Sequence, residues 1–214
     1  MHIPNGFLDP VTAATTTAVS AGVLAYGWQR LRQEISRHSP LTLGMVAAFI
    51  FAAQTVNYAI GHHTSGHLIG AMLAVVVCGP WAAGLLMASI IGVQSLFFHD
   101  GGTLALGANI LNMAVIATAV SHAVYQRTFE KTGKRRLAMV LGAWLSVVAA
   151  AGAAAMELAI AGTSAFTEVL PAMLGWHSLI GAGEAIITLA CARCFLGQTG
   201  KNLNLPQVKR YAEK

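Results

Sequence analysis

Charged side chains are scarce in this 214-residue chain: Asp, Glu, Lys and Arg together make up 10% of it, against about 25% in an ordinary soluble domain. So few charges cannot cover a globular surface of this size. A disordered chain, a coiled coil and most soluble enzymes are thereby excluded. Cysteine is equally sparse. Three cysteines, all in apolar stretches, give no disulfide framework. Cys191 and Cys194 form a Cys-x-x-Cys spacing, but no second ligand pair or βαβ unit accompanies it, so they read as small apolar residues near a helix end. Acidic residues number 8 against 13 basic ones. No signal peptide is legible, because the first ten residues lack a basic segment and contain two prolines.

What the chain has instead is apolar length, since 56% of it is hydrophobic. The apolar runs predict helices at about Val11–Trp28, Leu41–Ile60, Leu68–Gly79, Trp81–Phe98, Leu104–Tyr125, Leu137–Ala161 and Trp176–Leu196. Most approach the roughly 20 residues that cross a bilayer. The third does not, and it must be short, tilted or sheltered by its neighbours. The positive-inside rule supports counting it as a crossing. Basic residues cluster after the first run (Arg30, Arg32, Arg37), after the fifth (Arg127, Lys131, Lys134, Arg135, Arg136) and after the seventh (Arg193, Lys201, Lys209, Arg210, Lys214). Seven crossings put all three clusters on one side, whereas six would split them. The expected fold is therefore an all-α membrane protein of seven transmembrane helices, N-terminus outside and C-terminus cytoplasmic. It forms one integral-membrane domain over residues 1–214. The basic clusters are an orientation signal, and nucleic acid is not needed to explain them. The Ala/Gly run 149–155 predicts close helix packing.

With that orientation, His2, His62, His63, His67, His99 and His177 fall on the outer side with Asp9, Asp100, Glu157 and Glu168, and without Lys or Arg. Glu184 lies about two turns inside the last helix. Such a face attracts cations. The N-terminus sharpens the chemistry. The α-amine of Met1, the amide nitrogen of His2 and the imidazole of His2 can close two adjacent chelate rings in one plane. A fourth nitrogen would complete a square, the geometry of Ni(II) or Cu(II), with low-spin Co(II) possible. His2 also predicts that the initiator methionine is retained. The fourth nitrogen is expected from the run 61–70, where His67 stands between Gly66 and Gly70, glycines that permit close backbone approach. His62 and His63 compete with it. Asn109 and Asn112, polar in an apolar helix, either hold the N-terminal segment, orient a ligand histidine, or make ordinary interhelical hydrogen bonds. His177 and Glu184, seven apart on one helix face, either line a metal path or brace each other. Gln94, His99 and Asp100 are placed to close the cavity.

The segments MHIPNGFL at the start, TSGHLIGA at 64–71, GPWA at 79–82, HDGGTLALGANILNM at 99–113 and WHSLIGAGEAIIT at 176–188 carry a resemblance. Together, in this order, they are similar to the CbiM/NikM family, the substrate-binding S components of energy-coupling factor (ECF) transporters for cobalt and nickel. Pro4 and Asn5 depart from the family's commonest start. The resemblance implies seven transmembrane helices with the first residues inside an outer cavity. It implies Met1, His2 and His67 as metal ligands, and Co(II) or Ni(II) as the transported substrate with no other cofactor. It implies a transmembrane T component, two cytoplasmic ABC ATPases and often a small accessory membrane subunit as partners. It also implies a place in a prokaryotic inner membrane, a link to cobalamin biosynthesis, and no enzymatic activity. The chain has no phosphate-binding GxxxxGK[ST] loop, so energy must come from partners. Three rival classes follow from the residues alone. An intramembrane metalloenzyme lacks its HExxH motif. A haem carrier has only His122 and His177 to offer. An ion-coupled divalent-cation exchanger would rest on Glu157 and Glu184.

Overall fold

Prolines and glycines punctuate this chain into helices. The computed structural model describes residues 1–32, 39–61 and 64–198. Candidate ligands His62 and His63, and the basic residues Arg37, Lys201, Lys209, Arg210 and Lys214, lie outside the described residues. Helix α1 (Pro10–Arg32) starts where Asp9 accepts from Val11 N (2.9 Å) and Thr12 N (3.1 Å), with proline at the first helical position. Helix α2 (Pro40–Thr55) opens the same way behind Ser39. Helix α3 (Ala71–Cys78) ends at Gly79, whose φ of 81° no branched side chain tolerates well, and Pro80 then starts α4 (Pro80–Phe97). Helices α5 (Leu106–Ile110) and α6 (Ala117–Thr132) are joined through a π-helical turn, Leu111–Ile116, into one continuous rod. Helix α7 (Arg135–Ile160) and helix α8 (Phe166–Gln198) complete the bundle.

Four of these are long and apolar enough to cross a membrane: Pro80–Phe97, Leu106–Thr132, Arg135–Ile160 and the Phe166–Phe195 part of α8. That is the build of a multi-pass membrane protein. Helix α2 is apolar but has 16 residues. Helix α3 has eight, and seven of them are buried among neighbouring helices. Protein rather than lipid surrounds it, which is how a short helix is tolerated at membrane depth. The alanine run of α7 is buried too, from Ala150 to Ala155 with only Gly152 less so, and α7 packs against both α6 and α8.

Several boundaries differ from the sequence expectation: the first run stays helical to Arg32 rather than Trp28, the fifth to Thr132 rather than Tyr125, and three more differ as follows. The second run does not stay helical to Ile60. It stops at Thr55, and Tyr58–Gly61 (β1) pairs antiparallel with Thr64–Gly66 (β2), matching Tyr58 with Gly66 and Ala59 with Ser65. Apolar alternation over so short a stretch fits a strand as well as a helix end. The third helix begins at Ala71, not Leu68, because Gly70 adopts φ 83° just before it. The last helix begins ten residues earlier than Trp176 and carries Pro171 in its second turn, where the missing N–H leaves the Thr167 carbonyl without its helical donor.

Candidate metal centre

The first residues of the chain are threaded into the protein. Met1, His2 and Ile3 are 1%, 5% and 2% exposed. A strap of hydrogen bonds holds them. Ile3 N–H donates to Asn109 Oδ1 (2.8 Å), and Ile3 O accepts from Asn109 Nδ2 (3.1 Å) and from Gly102 N–H (2.8 Å). Asn5 Oδ1 accepts from Leu104 N (2.9 Å), and Phe7 O accepts from Thr163 Oγ1 (2.5 Å). Asn109 therefore fulfils the role of holding the N-terminal segment.

Buried backbone needs partners, and here the amine finds them on β2. The Met1 amine donates to Ser65 O and to Ser65 Oγ, the latter at 2.8 Å. Burial pushes its pKa from 8.0 down to about 4, against the opposing pull of Asp100. That direction favours the neutral amine with its lone pair, the form a metal requires.

Two imidazoles lie beside it. The rings of His2 and His67 stack with centroids 4.5 Å apart and planes 20° apart. His67 is 1% exposed, and its Nδ1 lies 2.8 Å from Leu68 O. A carbonyl only accepts, so Nδ1 carries the proton and Nε2 keeps its lone pair. That Nε2 is buried and no protein donor reaches it. A backbone carbonyl on one nitrogen and a bare second nitrogen is the arrangement of a metal-binding histidine. Burial holds the His67 pKa well below its ordinary value, reinforced by the amine and by His2. His2 Nδ1 lies 3.2 Å from Asp100 Oδ1, and His2 Nε2 is buried without a partner. Asp100 is held below its usual carboxylate range by that ring beside it.

The other expected residues divide. His177 is fully buried. Its Nδ1 donates to Met173 O (2.8 Å), and its Nε2 has no protein partner. It does not brace Glu184, whose two oxygens accept from Ile69 N–H and Gly70 N–H. Asn112 donates to Glu157 Oε2 (2.7 Å), an interhelical bond between the π turn and α7. His99 does not close the cavity: it is exposed, with φ 55°. The turn after α4 directs the next residue, Asp100, inward instead. Gln94 is buried and anchors that turn through its carbonyl, which accepts from Phe98 N and Asp100 N. Sequence reasoning missed Ser65, Gly101 and Gly102 as parts of the centre. A side chain at Gly101 would reach His2 Cδ2 at 3.3 Å. The paired glycines following Asp100 were the available signal.

Among the described residues, no three His, Cys, Asp or Glu side chains converge on one point.

Residues 2–199 match the family model described as "Cobalt uptake substrate-specific transmembrane region". A putative fused nickel transport protein of Archaeoglobus fulgidus is 40% identical over 191 residues, covering 88% of this chain and 63% of that protein. The fused nickel transport protein of Rhodobacter capsulatus is 36% identical over 207 residues, covering 88% and 59%. The cobalt transport protein CbiM of Salmonella typhimurium is 32% identical over 163 residues, covering 75% and 66%. The chain thus spans less than two thirds of the length of these three relatives. The crystal structure of a transition metal transporter superimposes with a TM-score of 0.86 at 30% identity over all of both chains. A truncated transition metal transporter gives the same score at 32% identity, over 91% of this chain and 98% of that one.

Proposed function

Because the chain belongs to the family of cobalt-uptake substrate-specific transmembrane proteins, we propose that it is the substrate-capturing membrane subunit of an ECF-type importer for Co(II) or Ni(II). The chain crosses the membrane seven times with its N-terminus outside, in a prokaryotic inner membrane. Metal enters from the outer face and is bound by the Met1 amine, the His2 amide nitrogen, His2 Nδ1 and His67 Nε2. The amine and amide close a five-membered ring, and the amide and Nδ1 a six-membered one. The amide gives up its proton, so only metals that bind nitrogen strongly enter this plane. Asp100 then faces the bound cation and balances its charge. A T component and two ABC ATPases supply the energy that releases metal inward. Raw affinity would favour Cu(II), so metal supply and the shape of the plane select the cargo.

The observation that carries this reading is the buried Met1 amine and the stacked His2 ring beside the bare Nε2 of His67. The rival exchanger reading needs free buried carboxylates, but Glu184 is committed to two amides and Glu157 to Asn112. The test is calorimetric titration of the purified protein with Ni(II) and Co(II), beside a form with one residue inserted ahead of Met1. The insertion removes the amine from its place and leaves every side chain unchanged. Tight binding should vanish in the extended form. Equal binding by both forms would refute the amine as a ligand.

A further inference from the structure

The segment that delivers His67 is neither strand nor helix. From His67 to Gly70 the backbone passes from β2 to α3 through the protein interior, where it has no ladder partners of its own. Five of its backbone polar groups are nevertheless held. Leu68 O accepts from the His67 ring (2.8 Å). Ile69 N–H donates to Glu184 Oε2 (2.6 Å), and Ile69 O accepts from Gln54 Nε2 (2.7 Å). Gly70 N–H donates to Glu184 Oε1 (3.0 Å), and Gly70 O accepts from Ala74 N (3.0 Å). Gln54 comes from α2 and Glu184 from α8, and both are almost wholly buried. Gly70 has no room to shift: a side chain there would meet Ile50 at 2.8 Å. Gly66, on the other flank, would meet Ile180 of α8 at the same distance.

Resting on the chelate proposed above, we infer that Glu184 is a positioning residue for the fourth metal nitrogen, with Gln54 as its second grip. The carboxylate spans two consecutive amides and fixes the peptide whose neighbouring carbonyl orients His67. A glutamine cannot replace it. It has one acceptor oxygen, and its NH2 would face an N–H. Buried groups that orient a metal-binding histidine typically change affinity by about 10- to 100-fold when lost. Helix α8 thereby holds His67 across 115 residues of sequence separation between Glu184 and Ile69.

The test uses the purified full chain with Ni(II), read by competition titration and by the visible d–d absorption of the bound ion. Glu184→Gln should weaken binding by about 10- to 100-fold. It should also move the band to longer wavelength, to the position seen in His67→Ala, because water replaces the imidazole. The double variant should bind no more weakly than His67→Ala alone. Asn112→Ala is the control. It removes an equally buried partner of another glutamate and should leave the band in place. Wild-type affinity and band in Glu184→Gln, full additivity in the double variant, or a band shift in Asn112→Ala would each overturn the inference. A silent His67→Ala would sink the chelate itself and this inference with it, whereas an active His67→Ala beside a silent Glu184→Gln sinks only this one.

Discussion

Gly102→Ala is the sharpest single-atom perturbation of the N-terminal strap. Gly102 is buried against Pro4 and Asn5 and donates its N–H to Ile3 O (2.8 Å). A Cβ at this position would stand 2.6 Å from both the Pro4 carbonyl carbon and Asn5 Oδ1, and closer still to Asn5 N. Two of these three atoms are backbone, so no rotamer change relieves the clash. Ordinary contact requires the strap to retreat by roughly 1 Å, while a binding constellation tolerates about 0.5 Å. Overpacking costs about 1–3 kcal/mol and the strained Ile3 hydrogen bond about 1 more. If that cost falls on the inserted conformation, Ni(II) affinity drops by about 30- to 1000-fold, since each 1.4 kcal/mol is tenfold. The strap is not what packs the helices, so the melting temperature in detergent should barely move. Gly92→Ala, where a side chain would meet nothing within 4 Å, is the matched control. Metal affinity in Gly102→Ala within threefold of wild type would refute the claim that the strap carries the ligands.

Asn109→Ala removes two hydrogen bonds to Ile3 and strands a buried N–H, a loss of about 1–3 kcal/mol. Metal titration should show about a 10- to 100-fold weaker Kd with the helical circular-dichroism signal unchanged. Gly107→Ala strikes a different link, because its Cβ would fall on the Thr17 backbone of α1, 2.6 Å from the amide nitrogen. It should lower the thermal midpoint in detergent clearly, since α1 and α5 must separate, and a wild-type midpoint would contradict that close crossing. The buried amine gives a pH dependence with a definite sign. Its folded pKa of about 4 lies below the ordinary 8.0, so the inserted state binds fewer protons than the released one, and insertion weakens as pH falls from about 8 toward 4. Hydrogen exchange of the Ile3 amide in metal-free protein should speed up relative to a reference amide, by up to about tenfold per pH unit within that window. Flat relative protection would show that the amine is not buried uncharged.

The site was legible where its chemistry is local. Met1 and His2 are adjacent, and His67 announces itself between two glycines, so their meeting could be expected from donor chemistry and family resemblance together. The supporting contacts are long-range and were not legible. Glu184 and Ile69, or Asn109 and Ile3, are more than one hundred residues apart, and no periodicity encodes such a pairing. The β1–β2 hairpin was lost for a different reason. Tyr58, Ala59 and Ile60 continue the apolar run of α2, and the change of period spans too few residues to register. His99 was misplaced because hydrophobicity says nothing about a positive φ. One left-handed residue exchanges its direction with that of Asp100.

The absence of a converging side-chain trio among the described residues has a physical counterpart in what is left unpaired. His2 Nε2, His67 Nε2 and His177 Nε2 are all buried with no protein partner. Each such group costs about 1–3 kcal/mol relative to a paired one and calls for a partner from outside the protein, such as a water or an ion. Three imidazoles and a neutral amine buried together form a region rich in lone pairs and poor in protons. No hydrogen-bond donor in the described protein relieves it. A cation bound in the proposed plane would take up one of these lone pairs, the Nε2 of His67. On the proposed chelate, withdrawal of the strap held by Asn109 and Gly102 would strip three of the four nitrogens at once.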